Sequence, residues 1–162
     1  MVHTYKHSVN ISRVIAGKIE IIKGIAADNH IHIKPEIQEN MYIKIASPAL
    51  DRILDIILDN AVTYNIPKGI IHISLKGNVK TVILVIRNTG PGIPKEKIEH
   101  IFTSRKKSTS TKKSMDKGLP WVKSIIDNIS GNITITSTIN RETTVTITFM
   151  RTKQKKQYRF IE

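Results

Sequence analysis

Asn88-Thr89-Gly90-Pro91-Gly92-Ile93-Pro94 follows directly on the apolar run Thr81 to Ile86. A run of that kind reads as a buried strand. Two glycines at its end let the backbone turn tightly and approach a flat or charged ligand at a distance that a β-carbon forbids. Upstream, Leu58-Asp59-Asn60-Ala61 lies near the end of a stretch in which Leu50, Ile53, Leu54, Ile57, Leu58 and Ala61 recur at helical spacing. Ser47-Pro48 supplies an expected N-cap and a proline in the first turn, so a long helix is predicted from there to about Tyr64. A late helical asparagine beside a strand that ends in a glycine turn reads as a nucleotide pocket. Ile101-Phe102, a polar segment, and Gly118-Leu119 opening a further helix complete the series.

In this order of motifs, from about His7 to Met150, the chain resembles the ATP-binding domain of sensor histidine kinases, within the wider family that includes gyrase, the heat-shock chaperone ATPase and the mismatch-repair ATPases. The resemblance implies an α/β two-layer sandwich, a mixed and mostly antiparallel sheet with three main helices on one face and a flexible ATP lid. It implies ATP and Mg²⁺ as ligands, held in a cleft wide enough for a purine between Asn60 and the twin-glycine bend. Asn60 takes the role of catalytic and metal-binding residue, since a hard cation prefers oxygen ligands and keeps several waters. Tyr64, Asn88, Gly90, Gly92, Ile93, Phe102, Lys117, Gly118, Leu119 and Thr143 are the implied nucleotide contacts. Asp59, beside Asn60, is a weaker candidate for holding a metal-bound water.

Two positions depart from the family pattern, and a third separates kinase from hydrolase. Asn88 stands where the family has an aspartate that accepts from the adenine amino group; the amide keeps an acceptor oxygen and loses the charge. Asp116 stands where the first glycine of the lid's end is expected, although Gly118-Leu119-Pro120 still opens a helix. Relatives that hydrolyse ATP carry a glutamate four residues before the helix asparagine, and this chain has Ile56, which takes no proton. A stand-alone ATPase is therefore not predicted. The predicted activity is transfer of the ATP γ-phosphate to a histidine on a separate, missing dimerisation domain and then to a response-regulator aspartate, in a homodimeric parent. The same departures support a second reading, a catalytically silent domain of this fold that senses nucleotide or binds a protein partner.

The 162 residues, with a hydrophobic share of 40%, suit one domain with a real core. The predicted division is 1–150 for the ATP-binding unit, with the lid at about 103–117, and 151–162 for a basic tail. Absence of cysteine excludes disulfides and thiolate metal sites and fits a reducing, cytoplasmic setting. Arg13, Lys18, Glu20 and Lys23 interrupt Ile11 to Ala27, so no segment approaches the roughly 18 apolar residues of a membrane span. The start lacks a signal-peptide layout and suggests an excised domain, soluble itself, of a parent that a membrane could anchor. The net charge of +13 gathers in two places, Arg105 to Lys117 and Arg151 to Arg159. Cations in a lid suit phosphate oxygens. Nucleic acid is disfavoured, because only Tyr158 and Phe160 accompany the basic tail and no helix-turn-helix is evident.

Along the rest of the chain, Ile11, Val14, Ile15, Ile19, Ile22 and Ile25 predict an amphipathic helix over Ile11 to Ala27. Ile31, Ile33, Ile37 and then Tyr42 to Ile45 predict two strands with a bend around Pro35. A hairpin turned at Gly77-Asn78 joins Ile70 to Leu75 and Thr81 to Ile86. Lys95 to Ile101 is a predicted short helix, Ser104 to Lys117 a mobile segment, Gly118 to Ile129 a helix, and Asn132 to Thr138 with Thr143 to Phe149 a last hairpin. Neither His3 nor His7 has phosphoacceptor surroundings. His30, His32, His72 and His100 read as strand or surface residues.

Overall fold

The computed structural model describes residues 6–103 and 118–155. Its core begins with β5 (Thr81–Thr89), where alternation buries Val82, Leu84, Ile86 and Asn88 on one face. β4 (Ile70–Gly77) does the same with Ile71, Ile73 and Leu75, and the two pair antiparallel with Ile73 opposite Ile86. β6 (Asn132–Thr138) and β7 (Glu142–Met150) form the last hairpin, and β2 (His32–Ile37) lies at the opposite edge, giving the order β2-β4-β5-β7-β6. Among the described residues of this sheet only β2 and β4 run parallel.

The buried face is covered by α1 (Ile11–Asp28), α2 (Ser47–Thr63) and α4 (Leu119–Asn128); α2 touches α1, α4 and β5. In α2 the expected stripe Leu50, Ile53, Leu54, Ile57, Leu58 and Ala61 is buried in full. Each such isoleucine or leucine contributes about 1.5–3 kcal/mol of burial. This is the two-layer sandwich expected, with three main helices on one face.

Several local expectations are corrected. Ser47 is not the N-cap of α2: Ala46 occupies that position without a side-chain cap, and the Ser47 hydroxyl lies 3.0 Å from His7 Nε2. The β4–β5 turn falls on Asn78, Val79 and Lys80, because Asn78 Oδ1 accepts from the backbone N–H of Lys80 and Thr81; Gly77 stays in the strand opposite Val82. β2 runs unbroken through Pro35, since an edge strand has one side on which a missing N–H costs nothing. The short helix α3 is limited to Lys95–Ile98. On α1 the inward stripe drifts from Ile22 to Ala26, leaving Ile25 exposed.

One strand was not anticipated. β1 (His7–Asn10) pairs with β3 (Tyr42–Ile45) in a small separate sheet, which joins the main one through an Ile43–Arg151 bridge. β1 leads straight into α1, whose first turn is capped by Asn10 Oδ1 accepting from Arg13 N–H at 3.1 Å. Among the described residues no helix is long and apolar enough to cross a membrane. The expected lid falls almost wholly on 104–117, outside the described residues.

Candidate nucleotide site

The glycine bend is fixed by contacts that leave no room for side chains. A β-carbon on Gly90 would stand 2.3 Å from the Tyr64 carbonyl oxygen at the end of α2. Gly92 has φ +77°, and a β-carbon there would stand 2.6 Å from the Thr138 carbonyl oxygen. L-residues avoid that backbone conformation. The bend is latched to the β6–β7 loop: Gly90 N–H donates to the Arg141 carbonyl at 3.2 Å, and Asn140 N–H donates to the Pro91 carbonyl at 2.7 Å. The Tyr64 carbonyl is therefore the floor under Gly90.

Beyond the bend, β5, β7 and β6 set Asn88, Thr143 and Ser137 side by side in one cross-strand row. Asn88 and Thr143 are 5% and 4% exposed, the only buried polar side chains besides Ser12 among the described residues. Asn88 Nδ2 donates to the Thr89 carbonyl oxygen at 2.8 Å. Ser137 Oγ donates to the Glu142 carbonyl at 2.9 Å, accepts from Ile93 N–H at 2.9 Å and lies 2.9 Å from Thr143 Oγ1. A buried polar group is costly unless it is hydrogen-bonded, so such groups mark either structure or a ligand.

Asn60, half-buried on α2, and Asn88 line the same cleft, together with Ile57, Ala61, Ile86, Ile93, Leu119, Ile135, Thr143 and Val145. The two asparagines thus share one cavity. About 320 Å³ separates the walls, with solvent at the mouth included, and the inner part admits about one water. The walls of this part of the cleft are mostly apolar. Among the described residues the Asn60 carboxamide makes no hydrogen bond, and no group of three or more His, Cys, Asp or Glu could hold a metal. A cation here would rest on the Asn60 amide oxygen, waters and phosphate oxygens, a donor set that fits Mg²⁺.

Gly118 lies against α2, where a β-carbon would stand 2.8 Å from Ile56 Cγ2. Ile56 is thus packing for the start of α4, and Leu119, 2% exposed, is a cleft wall. Arg52 on α2 stacks over the Trp121 ring at 4.3 Å and ties the same two helices together. Phe102 packs half-buried against the core. Asp59 is exposed. Lys117 and Asp116 lie outside the described residues. Ser137 and the Thr89 carbonyl were missed from sequence: a serine in an alternating Thr/Ser strand carries no signal until register sets it beside Thr143.

Residues 45–153 match the family described as histidine kinase-, DNA gyrase B- and HSP90-like ATPase. The chain is 33% identical over 95 residues to the heme sensor protein HssS of Staphylococcus saprophyticus, covering 59% of this chain and 21% of that protein. It is 29% identical over 149 residues to the signal transduction histidine-protein kinase ArlS of Staphylococcus haemolyticus, covering 87% and 32%. The chain thus spans about a fifth to a third of the length of these relatives. Among solved structures, the catalytic domain of the histidine kinase ThkA superposes with a TM-score of 0.79 at 21% identity, covering 90% of this chain and 95% of that one. The mycobacterial sensor histidine kinase MprB gives 0.77 at 20%, covering 92% and 99%. These likenesses carry the fold, and the match over two thirds of the sequence carries the family: the chain belongs to the histidine kinase-, gyrase B- and HSP90-like ATPases, a family that binds ATP.

Proposed function

We propose that this chain is the ATP-binding catalytic domain of a two-component sensor histidine kinase. The observation that carries the reading is the shared cleft of Asn60 and Asn88, backed by a bend at Gly90 and Gly92 that excludes any β-carbon. The relatives named above as a sensor and a histidine-protein kinase support the same choice within the family.

In this reading the glycine bend and Ile93 receive the base edge and Asn88 accepts from it. The Asn60 amide oxygen holds Mg²⁺, which when bound supplies charge neutralisation at the phosphates. Lys117, outside the described residues, is by the family resemblance a further phosphate contact. An imidazole nitrogen of a histidine on a separate dimerisation domain attacks the γ-phosphorus. The bond to the β,γ-bridging oxygen breaks, ADP leaves, and the phosphoryl group passes on to an aspartate of a response regulator. The division into an ATP-binding unit over 1–150 and a basic tail over 151–162, a cytoplasmic location and a homodimeric parent belong to the same proposal. Ile56, apolar and packed on Gly118, offers no base for activating water, which favours phosphotransfer over hydrolysis.

The test is direct. The chain is mixed with γ-labelled ATP, Mg²⁺ and the phosphoacceptor domains of HssS and ArlS. Label on an acceptor, acid-labile as phosphohistidine is, supports the reading. A folded chain that binds ATP yet labels neither acceptor nor its own parent's histidine domain contradicts it.

A further inference from the structure

The two edges of the main sheet are built differently. β2, at one edge, carries Lys34, Pro35 and Glu36, and Glu36 lies 3.5 Å from Lys76. Charge and proline on an edge strand keep a second chain from pairing with it. β6, at the other edge, has neither. Its sequence Asn132-Ile133-Thr134-Ile135-Thr136-Ser137-Thr138 is uncharged, free of proline and rich in β-branched residues. Ile133 and Ile135 are buried on the face that α4 covers, and Thr134 and Thr136 are exposed on the other. Among the described residues β7 pairs with one side of β6 and no strand pairs with the other. Such a strand presents its outward N–H and C=O groups to a further strand.

Charges on the helix above this edge select the occupant. α2 lies toward β5 and meets α4 on its Trp121 flank, through Arg52. At about 100° per residue, Lys123 and Asp127 fall on the opposite flank of α4, over the open side of β6. They form an ion pair at 2.7 Å. A two-fold axis sets residue i of one copy against residue j of the other, and j against i. A cation and an anion one turn apart, beside an uncharged strand, therefore complement themselves about such an axis. With a net charge of +13, two copies repel one another broadly, and this edge is where neutral and opposite charges would meet. We infer that β6 is a docking edge for the β6 of a second copy of this chain. The two strands pair antiparallel, join two five-stranded sheets into one, and bring Lys123 of each α4 to Asp127 of the other.

Sedimentation equilibrium of the full chain, at low and at moderate salt, tests this. The expected result is a reversible monomer–dimer equilibrium that tightens with salt, because salt screens the repulsion between two cationic chains. Thr134→Lys sets like charges near one another across the axis and weakens the dimer severalfold or more. Val79→Lys adds the same charge at a 92% exposed position in the β4–β5 turn, away from the edge, and leaves the dimer intact. Asp127→Lys and Lys123→Asp each weaken self-association, and an equimolar mixture of the two chains restores it, since every pair across the axis is again of opposite sign. If Thr134→Lys fails to fold, that mixture decides. A folded wild-type chain that stays monomeric at every concentration and salt overturns the inference. A dimer that Thr134→Lys and Val79→Lys weaken equally, or a mixture that restores nothing, overturns it as well.

Discussion

Gly118 is packed so closely on Ile56 that a β-carbon would come within 2.8 Å of its Cγ2, at the point where the chain enters α4. Two helices that both line the cleft are thus set against each other by a missing side chain. Gly118→Ala forces either the branched Ile56 side chain or the start of α4 to move, at about 1–3 kcal/mol for overpacking. Weaker ATP binding is expected, with partial recovery in the Gly118→Ala, Ile56→Val double variant. Calorimetry on the four proteins of that cycle checks it; independent, additive effects would refute the contact.

Glycine has opposite roles at two positions. Gly92, at φ +77° against the Thr138 carbonyl, tolerates no β-carbon, and Gly92→Ala should lower stability by about 2 kcal/mol or more. Gly17, inside α1, has nothing within 4 Å of the same atom. Gly17→Ala should therefore raise stability by about 0.5–1 kcal/mol through helix propensity. Urea midpoints measure both, and a shift of the same sign in the two variants would contradict this reading.

Asn60 separates metal-assisted binding from folding. Its carboxamide makes no hydrogen bond among the described residues, so Asn60→Ala should alter stability by less than about 0.5 kcal/mol. The gain in ATP affinity on adding Mg²⁺ should disappear while metal-free binding remains. Thermal melts with ATP, run with Mg²⁺ and with a chelator, show whether the two effects part in this way.

The acidic series on α2 has a structural use. Lys18 on α1 reaches Asp55 at 2.7 Å and Asp51 at 3.5 Å. The hydrogen bond to Asp55 holds its ammonium above the ordinary value of 10.5, against a smaller opposing effect of burial. A raised folded-state pKa gives stability that is full below 10.5 and is lost as pH rises through the folded value. Lys18→Met should cost under about 1 kcal/mol at neutral pH, since the aspartates are exposed. The difference from wild type should narrow in melts taken above pH 10.5.

What the sequence made legible follows from what is periodic. The α2 stripe and the alternation of β5 name their buried residues because each fills one face by a fixed repeat, and the cleft inherits Asn60 and Asn88 from those repeats. Gly90 and Gly92 were legible because their backbone contacts admit no other residue. The pairing of β1 with β3, the true turn at Asn78 and the role of Ser137 depend on register between distant strands, which local pattern does not encode. Ser47 was misplaced by one residue since Ala46 caps α2 by backbone geometry alone.

The central claim is tested most directly by titrating the folded chain with ATP, with and without Mg²⁺. Saturable binding that Mg²⁺ tightens, with the Mg²⁺ effect absent in Asn60→Ala, is the predicted result. No binding at millimolar ATP by a chain whose melt shows it folded would contradict the account.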